Sequence, residues 1–314
     1  MSSINNSAGL ADVSVHSIDR FVLTVPDLEA AVHFYTAFGL DVSNEGGKLI
    51  IKAADGHAWG MVEQGRRKAL KYLSFNCFEA DLPLLRKQLK TAGARDAESL
   101  DLTGSTDYWF YDPDGNLLHV QAGPKTSPDT KAPNPCVNIA ANERGAPRRG
   151  DMAKVRPRRL SHVLLFSSDV SRSIDFYCRG LGLRLSDRSQ DIVAFLHAPH
   201  GCDHHLVAFA KSSVRGWHHS SWDVDGVDEV GLGAEQMATA GYTEGWGTGR
   251  HVLGSNYFHY VRDPWGSFAE YSAHIDYIEA GYQWVGRDHP PENSLYLWGP
   301  QVPSYFIENS EVER

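Results

Sequence analysis

The strongest constraint on this chain is that it repeats itself. Residues 20–42 read RFVLTVPDLEAAVHFYTAFGLDV, and residues 162–186 read HVLLFSSDVSRSIDFYCRGLGLRLS. Each stretch opens as an apolar strand and turns at Asp27 or Asp169. An amphipathic helix follows, carrying Phe34-Tyr35 or Phe176-Tyr177 near its end. Gly-Leu comes next in both copies, and glycine suits the exit of a helix. The copies match again further on, YWFYDPDGNLLHVQAG (108–123) against FHYVRDPWGSFAEYSA (258–273). A strand, an Asp-Pro-x-Gly turn and a second strand predict a hairpin in each. The chain is therefore read as one supersecondary module of roughly 115 residues used twice, each a sheet covered by helices on one face.

Length agrees, because 314 residues suit two domains of about 150 residues each. The expected division is a first module over 1–123, a linker over 124–158, a second module over 159–280, and an aromatic, proline-rich tail over 281–314. The tail shows no helical or strand periodicity and is expected to pack across the second module. No apolar run approaches the roughly 20 residues that span a bilayer, and the N-terminus has neither a basic start nor an apolar core. A cytoplasmic protein without a membrane partner is expected. A formal net charge of −9 argues against nucleic acid, whose phosphates need clustered Lys and Arg. The basic run Arg144–Arg159 also holds Gly, Pro and Asp, and it reads as solvated linker. Cys77, Cys136, Cys178 and Cys202 form no CxxC pair and read as free thiols.

Histidine is the compositional anomaly. Of 15 in the chain, 10 lie between His162 and His274. Aligning the two copies turns that crowding into an internal control. His162 falls opposite Arg20, Glu270 opposite His119, and His219 near Tyr72 or Leu73. Only the second copy keeps a plausible ligand set, so the fold itself does not demand one. Two neutral imidazoles and one carboxylate leave coordination positions open, the arrangement that suits non-haem Fe(II). His162 and His219 are expected to open their strands, and Glu270 to sit in FAEYSA, where a buried carboxylate needs a cation. Regular strand alternation would send His218 to the face opposite His219, and would separate Tyr257 and His259 from Phe258 and Tyr260. Ser220 and Ser221 suggest a polar pocket floor, and His197 and His200 read as loop residues.

The stretches LSHVLLF, CDHHLVAF, HHSSWDVDGVDEVG and GRHVLGSNYFHYVRDPWGSFAEY resemble the vicinal oxygen chelate superfamily, and the second half is similar to the type I extradiol catechol dioxygenases. The likeness spans roughly residues 16–280, with the catalytic motifs confined to the second module. It implies an α+β fold of two tandem modules, each made of paired βαβββ repeats that curve a mixed sheet around a metal site. It implies His162, His219 and Glu270 as ligands for Fe(II), with Mn(II) the less favoured ion. It implies His205 as the distal acid/base with His204 beside it, His251 as a hydrogen-bonding partner of the substrate oxygen, and Tyr260 as the active-site tyrosine. The expected reaction is extradiol cleavage of a substituted catechol by O2 to a 2-hydroxymuconic semialdehyde-type product, in a homo-oligomer. The rival readings are a glyoxalase-like enzyme using another divalent metal, and a metal-free ligand-sequestering protein.

Overall fold

The computed structural model describes residues 2–3, 13–97, 107–133 and 139–312, so Cys136 lies outside the described residues. In the first module the order is β1 (Ser17–Val25), α1 (Leu28–Ala37), β2 (Asp41–Glu45), β3 (Lys48–Lys52), β4 (Ala58–Gln64), β5 (Ala69–Cys77), α2 (Leu82–Thr91), β6 (Tyr108–Tyr111) and β7 (Leu117–Ala122). The second begins with β8 (Arg159–Ser167), α3 (Val170–Gly180), β9 (Arg184–Ser189), β10 (Val193–His197) and β11 (Val207–Lys211). It continues as β12 (Gly216–Asp223), α4 (Val227–Thr239), β13 (Gly245–His251), β14 (Tyr257–Arg262) and β15 (Phe268–Ala273). From the tail comes β16 (Tyr296–Trp298).

The two sheets carry the same plan. The first runs β2-β3-β4-β1-β5-β7-β6 and ends on a two-residue strand, Arg95–Asp96, and the second contains the run β9-β10-β11-β8-β12-β15-β14-β13, strand for strand equivalent. Both expected hairpins form, β6 with β7 and β14 with β15. Both expected helices form for the same local reason. Asp27 accepts from the Ala30 amide and Asp169 from the Arg172 amide, each satisfying an orphan donor of the first turn. Gly39 and Gly182 stop α1 and α3 at φ +96° and +76°, where a side chain would be strained. Gly39 is doubly constrained, since a Cβ there would meet the Val155 carbonyl oxygen at 2.0 Å.

One apolar core runs through both modules. Phe21 packs on Trp217 at 4.9 Å, and Phe38 stacks on Tyr271 at 3.9 Å while its carbonyl accepts from the Tyr271 hydroxyl. No helix among the described residues is long and apolar enough to cross a membrane.

The tail packs across the second module: β16 pairs with β13, and Arg287–Asp288 adds to the opposite edge beside β9. Two expectations need correcting. The basic run is solvated only in part, because Arg158 and Arg159 bond Asp223 and Asp203 across the strand ends. His197 is not a loop residue. It closes β10, is buried, and bonds Ser186 at 2.7 Å.

Candidate metal centre

Three neighbouring strands of the second sheet bring the ligand candidates together. His162 lies on β8, His219 on β12 and Glu270 on β15, all buried. The two histidines are fourth in their strands, so they do not open them as the sequence suggested. Mid-strand backbone is pinned on both sides by ladder bonds, which holds a side chain more rigidly than a strand end. His162 stands opposite Ser221 and Ser221 opposite Glu270, so these two ligand candidates are level across β12, and His219 lies two residues before Ser221 on that strand. One donor atom from each residue lies within 4.8 Å of the others, the only such group of three among the described residues.

The donor set fits a divalent cation. Glu270 Oε2 is 3.3 Å from His162 Nε2 and 3.7 Å from His219 Nε2. Glu270 Oε2 and His219 Nε2 are both buried without a hydrogen-bond partner, and orphaned polar atoms converging on one point need an ion to satisfy them. Burial would raise the Glu270 carboxyl, but the imidazoles of His162 and His251 outweigh it and hold the group below its ordinary value. Asn256 Nδ2 steadies the other oxygen at 3.1 Å. Burial depresses His219 well below the ordinary imidazole value, with His218 and His162 adding to the effect, so it is neutral, the form a metal ligand requires.

The first module supplies the control. Leu164 pairs with His219 and Val22 with Tyr72, which settles Tyr72 as the counterpart of His219. Arg20, Tyr72 and His119 line a separate polar cavity there, with His119 bonded to Ser74 and Asp107 and no ligand triad.

The remaining candidates surround the triad. A cavity of about 400 Å³ is lined by His162, His205, His219, His251 and Tyr260 on its polar side. Phe166, Ile192, Phe195, Leu253 and Phe306 line much of the rest. A wider cleft of about 990 Å³, between α1 and α4, is lined in part by the linker and holds no such cluster. His205 packs against His162 with ring centroids 3.9 Å apart and the planes tilted by 48°, and burial lowers it well below the ordinary imidazole value, with His162 and His204 adding to that. His251 Nε2 is 2.9 Å from the Tyr260 hydroxyl. Tyr260 and Phe258 do share one face of β14, and Tyr257 packs on the other core.

A common rule orients these rings. An oxygen without a proton can only accept, so each ring nitrogen facing one must donate. The Leu295 carbonyl at 2.7 Å therefore takes the His251 Nδ1 proton, leaving Nε2 to accept from Tyr260. Asp187 takes the His204 Nε2 proton at 2.9 Å, which leaves His204 Nδ1 to accept from His205 Nδ1 at 3.1 Å. Ser161 donates to Asp203 at 2.6 Å and so accepts from His162 Nδ1 at 3.2 Å. His205 and His251, both lowered by burial, thus keep an unprotonated Nε2.

Two expectations about the site fail. Neither Ser220 nor Ser221 lines the cavity: Ser220 accepts from the Trp222 indole, and Ser221 is buried between His162 and Glu270 in the ladder. His218 does not point away. The β8–β12 register slips between Leu164–His219 and Leu165–Trp217, so His218 is bulged and joins His219 at the cavity wall. Sequence reasoning also missed Asn256, Leu295 and Phe306. Asn256 sits in the quoted GSNYF stretch, but the other two carry no local signal.

Residues 17–120 and 159–271 both match the Glyoxalase/Bleomycin resistance protein/Dioxygenase superfamily. The chain is 57% identical over 299 residues to "Metapyrocatechase 2" of Cupriavidus necator, covering 95% of this chain and 93% of the relative. The chain belongs to this superfamily. It falls in the extradiol ring-cleaving dioxygenase branch and is an enzyme of that class. Two solved members of the superfamily fold share its architecture at low identity. Homoprotocatechuate 2,3-dioxygenase from Brevibacterium fuscum superposes with a TM-score of 0.74 at 18% identity, covering 98% of this chain and 95% of that one. The Mn(II)-bound glyoxalase from Novosphingobium aromaticivorans gives 0.73 at 23%, covering 96% and 100%. A scaffold shared by dioxygenase and glyoxalase means that the site's own residues must carry the functional reading.

Proposed function

We propose that this extradiol dioxygenase binds Fe(II) through His162, His219 and Glu270 and opens a substituted catechol beside its diol with O2. The observation that carries the reading is the convergence of orphaned His219 Nε2 and Glu270 Oε2 on one buried point beside His162. Fe(II) held by these three residues would acidify a bound diol and pass electrons from the catechol, the reductant, to O2. A glyoxalase-like use of the site is less well supported, because a relative 57% identical over 299 residues carries the name Metapyrocatechase 2.

The protein's part is proton handling and orientation. On one side the Tyr260 hydroxyl, whose proton is fixed on His251 Nε2, presents an oxygen that can accept from a substrate hydroxyl. His205 is neutral, and its relay to Asp187 leaves Nε2 without a proton, so it can take one from the second hydroxyl and return it later. Groups used in this way contribute about 10²–10⁴-fold to rate. Phe166, Ile192, Leu253 and Phe306 exclude water, which strengthens each of these polar contacts. That lining favours an apolar ring substituent. The one lysine there, Lys211, is bonded to Asp191. The expected product is a coloured semialdehyde of the 2-hydroxymuconic type.

An oxygen electrode run beside product mass analysis tests the reaction, using Fe(II)-loaded enzyme and a panel of substituted catechols. One O2 consumed per catechol, with both atoms in the product, is expected. A muconic diacid, or metal-dependent turnover of a 2-oxoaldehyde adduct without oxygen uptake, overturns the reading.

A further inference from the structure

His218 is a buried imidazole that the reaction does not use. It is enclosed by Phe166, Phe268 and Phe306, with ring centroids 4.9 to 5.3 Å away. Both of its nitrogens are nevertheless bonded. Nε2 lies 2.8 Å from the carbonyl oxygen of Phe306, 88 residues further along the chain, and Nδ1 lies 2.7 Å from Nδ1 of His219. The bulge at His218 makes this possible, since a regular strand would send the two side chains to opposite faces.

Proton counting then leaves one arrangement. The Phe306 carbonyl can only accept, so His218 Nε2 carries a proton. Enclosed by three phenyl rings, with no carboxylate bonded to it, the His218 ring carries a single proton, the one on Nε2, which leaves its Nδ1 an acceptor. His219 must therefore donate from Nδ1, and its orphaned Nε2 keeps a lone pair directed at the Glu270 carboxylate 3.7 Å away.

We propose that the C-terminal tail is a working part of the metal centre: the Phe306 carbonyl, acting through His218, sets the Nδ1–H tautomer of His219. His218 is a positioning residue, and this role rests on the reading of His219 as a metal ligand. Outer partners of this kind orient the ring, raise its basicity and typically change metal affinity 10–100-fold. The tail also supplies the Leu295 carbonyl to His251, and Phe306 walls the cavity, so order in the tail and order in the site are coupled.

The first test needs no metal and no turnover. In metal-free, whole-chain protein labelled with 15N-histidine, long-range 1H–15N correlation should find His219 protonated at Nδ1 and His218 at Nε2. Free imidazole side chains favour the opposite tautomer from that of His219, so a proton on His219 Nε2 overturns the proposal. The second test is anaerobic Fe(II) affinity by chelator competition. His218→Leu should weaken binding about 10–100-fold. His218→Gln, which retains a donor for Phe306 and an acceptor for His219, should recover part of the loss. Wild-type protein that takes up no Fe(II) sinks the ligand reading. Wild type that binds Fe(II) with the same affinity as a folded His218→Leu sinks the relay alone. If the leucine variant does not fold, the wild-type tautomer measurement still decides.

Discussion

The Tyr177 hydroxyl of the second module donates to the Asp112 carboxylate of the first, 3.1 Å away. Asp112 begins the Asp-Pro-x-Gly turn and Tyr177 ends the Phe-Tyr pair, so two repeated motifs meet across the duplication. The reciprocal pair sits alike: the Tyr35 phenol is raised by burial first and by the charge of Asp263 second. Ser167, Ser168 and Arg172 also bond Asp114 of the same turn. A motif that looks local in sequence is here a lock between modules.

Removing one side of that lock should lower stability without touching the metal centre. Tyr177→Phe is expected to cost about 1 kcal/mol, because Asp112 keeps its Asn116 donors at 2.8 Å. Asp112→Ala should cost more, about 1–3 kcal/mol per buried donor left without an acceptor. Denaturant unfolding of both variants measures the difference, and equal values would refute the asymmetry.

Metal content separates the two modules. Glu270→Ala should lose Fe(II) and turnover together, whereas Arg20→Ala and His119→Ala should retain full metal content. Stoichiometric iron in Glu270→Ala, measured by elemental analysis, would overturn the ligand set.

His205→Ala should keep its iron and lose about 10²–10⁴-fold in rate, the usual contribution of a positioned acid/base. A fully active variant, or one lacking metal, would put the acid/base role elsewhere.

Stability should fall with acid through His197. Burial lowers this imidazole to about 3, with His204 and Arg184 adding to the effect and Asp187 opposing it. The folded state thus binds its proton more weakly than the unfolded chain, whose imidazole titrates near 6.5. The stabilisation is complete above about pH 6.5 and is lost as pH falls towards the folded value. Between pH 6.5 and pH 5 the loss amounts to about 2 kcal/mol, at about 1.4 kcal/mol per pH unit. Thermal unfolding at pH 7 and pH 5 should show the drop. His197→Asn, which keeps an N–H for Ser186, should shrink it; an unchanged drop would count against His197.

By itself the sequence determined the duplication, the strand–helix–strand order of each copy, and the residues that differ between copies. Those features are written in local periodicity and in capping and turn residues, so short windows suffice. His162, His219 and Glu270 were legible because the first copy shows what the same fold carries without them. Tertiary structure alone decided the surroundings of the triad. The face of His218 depends on a register slip against β8, which strand alternation cannot foresee. The carbonyls of Leu295 and Phe306 belong to backbone, which has no residue-specific signature, and they arrive from 44 and 88 residues away. A hydrogen bond between a side chain and a distant backbone oxygen exists only once the chain has folded around both.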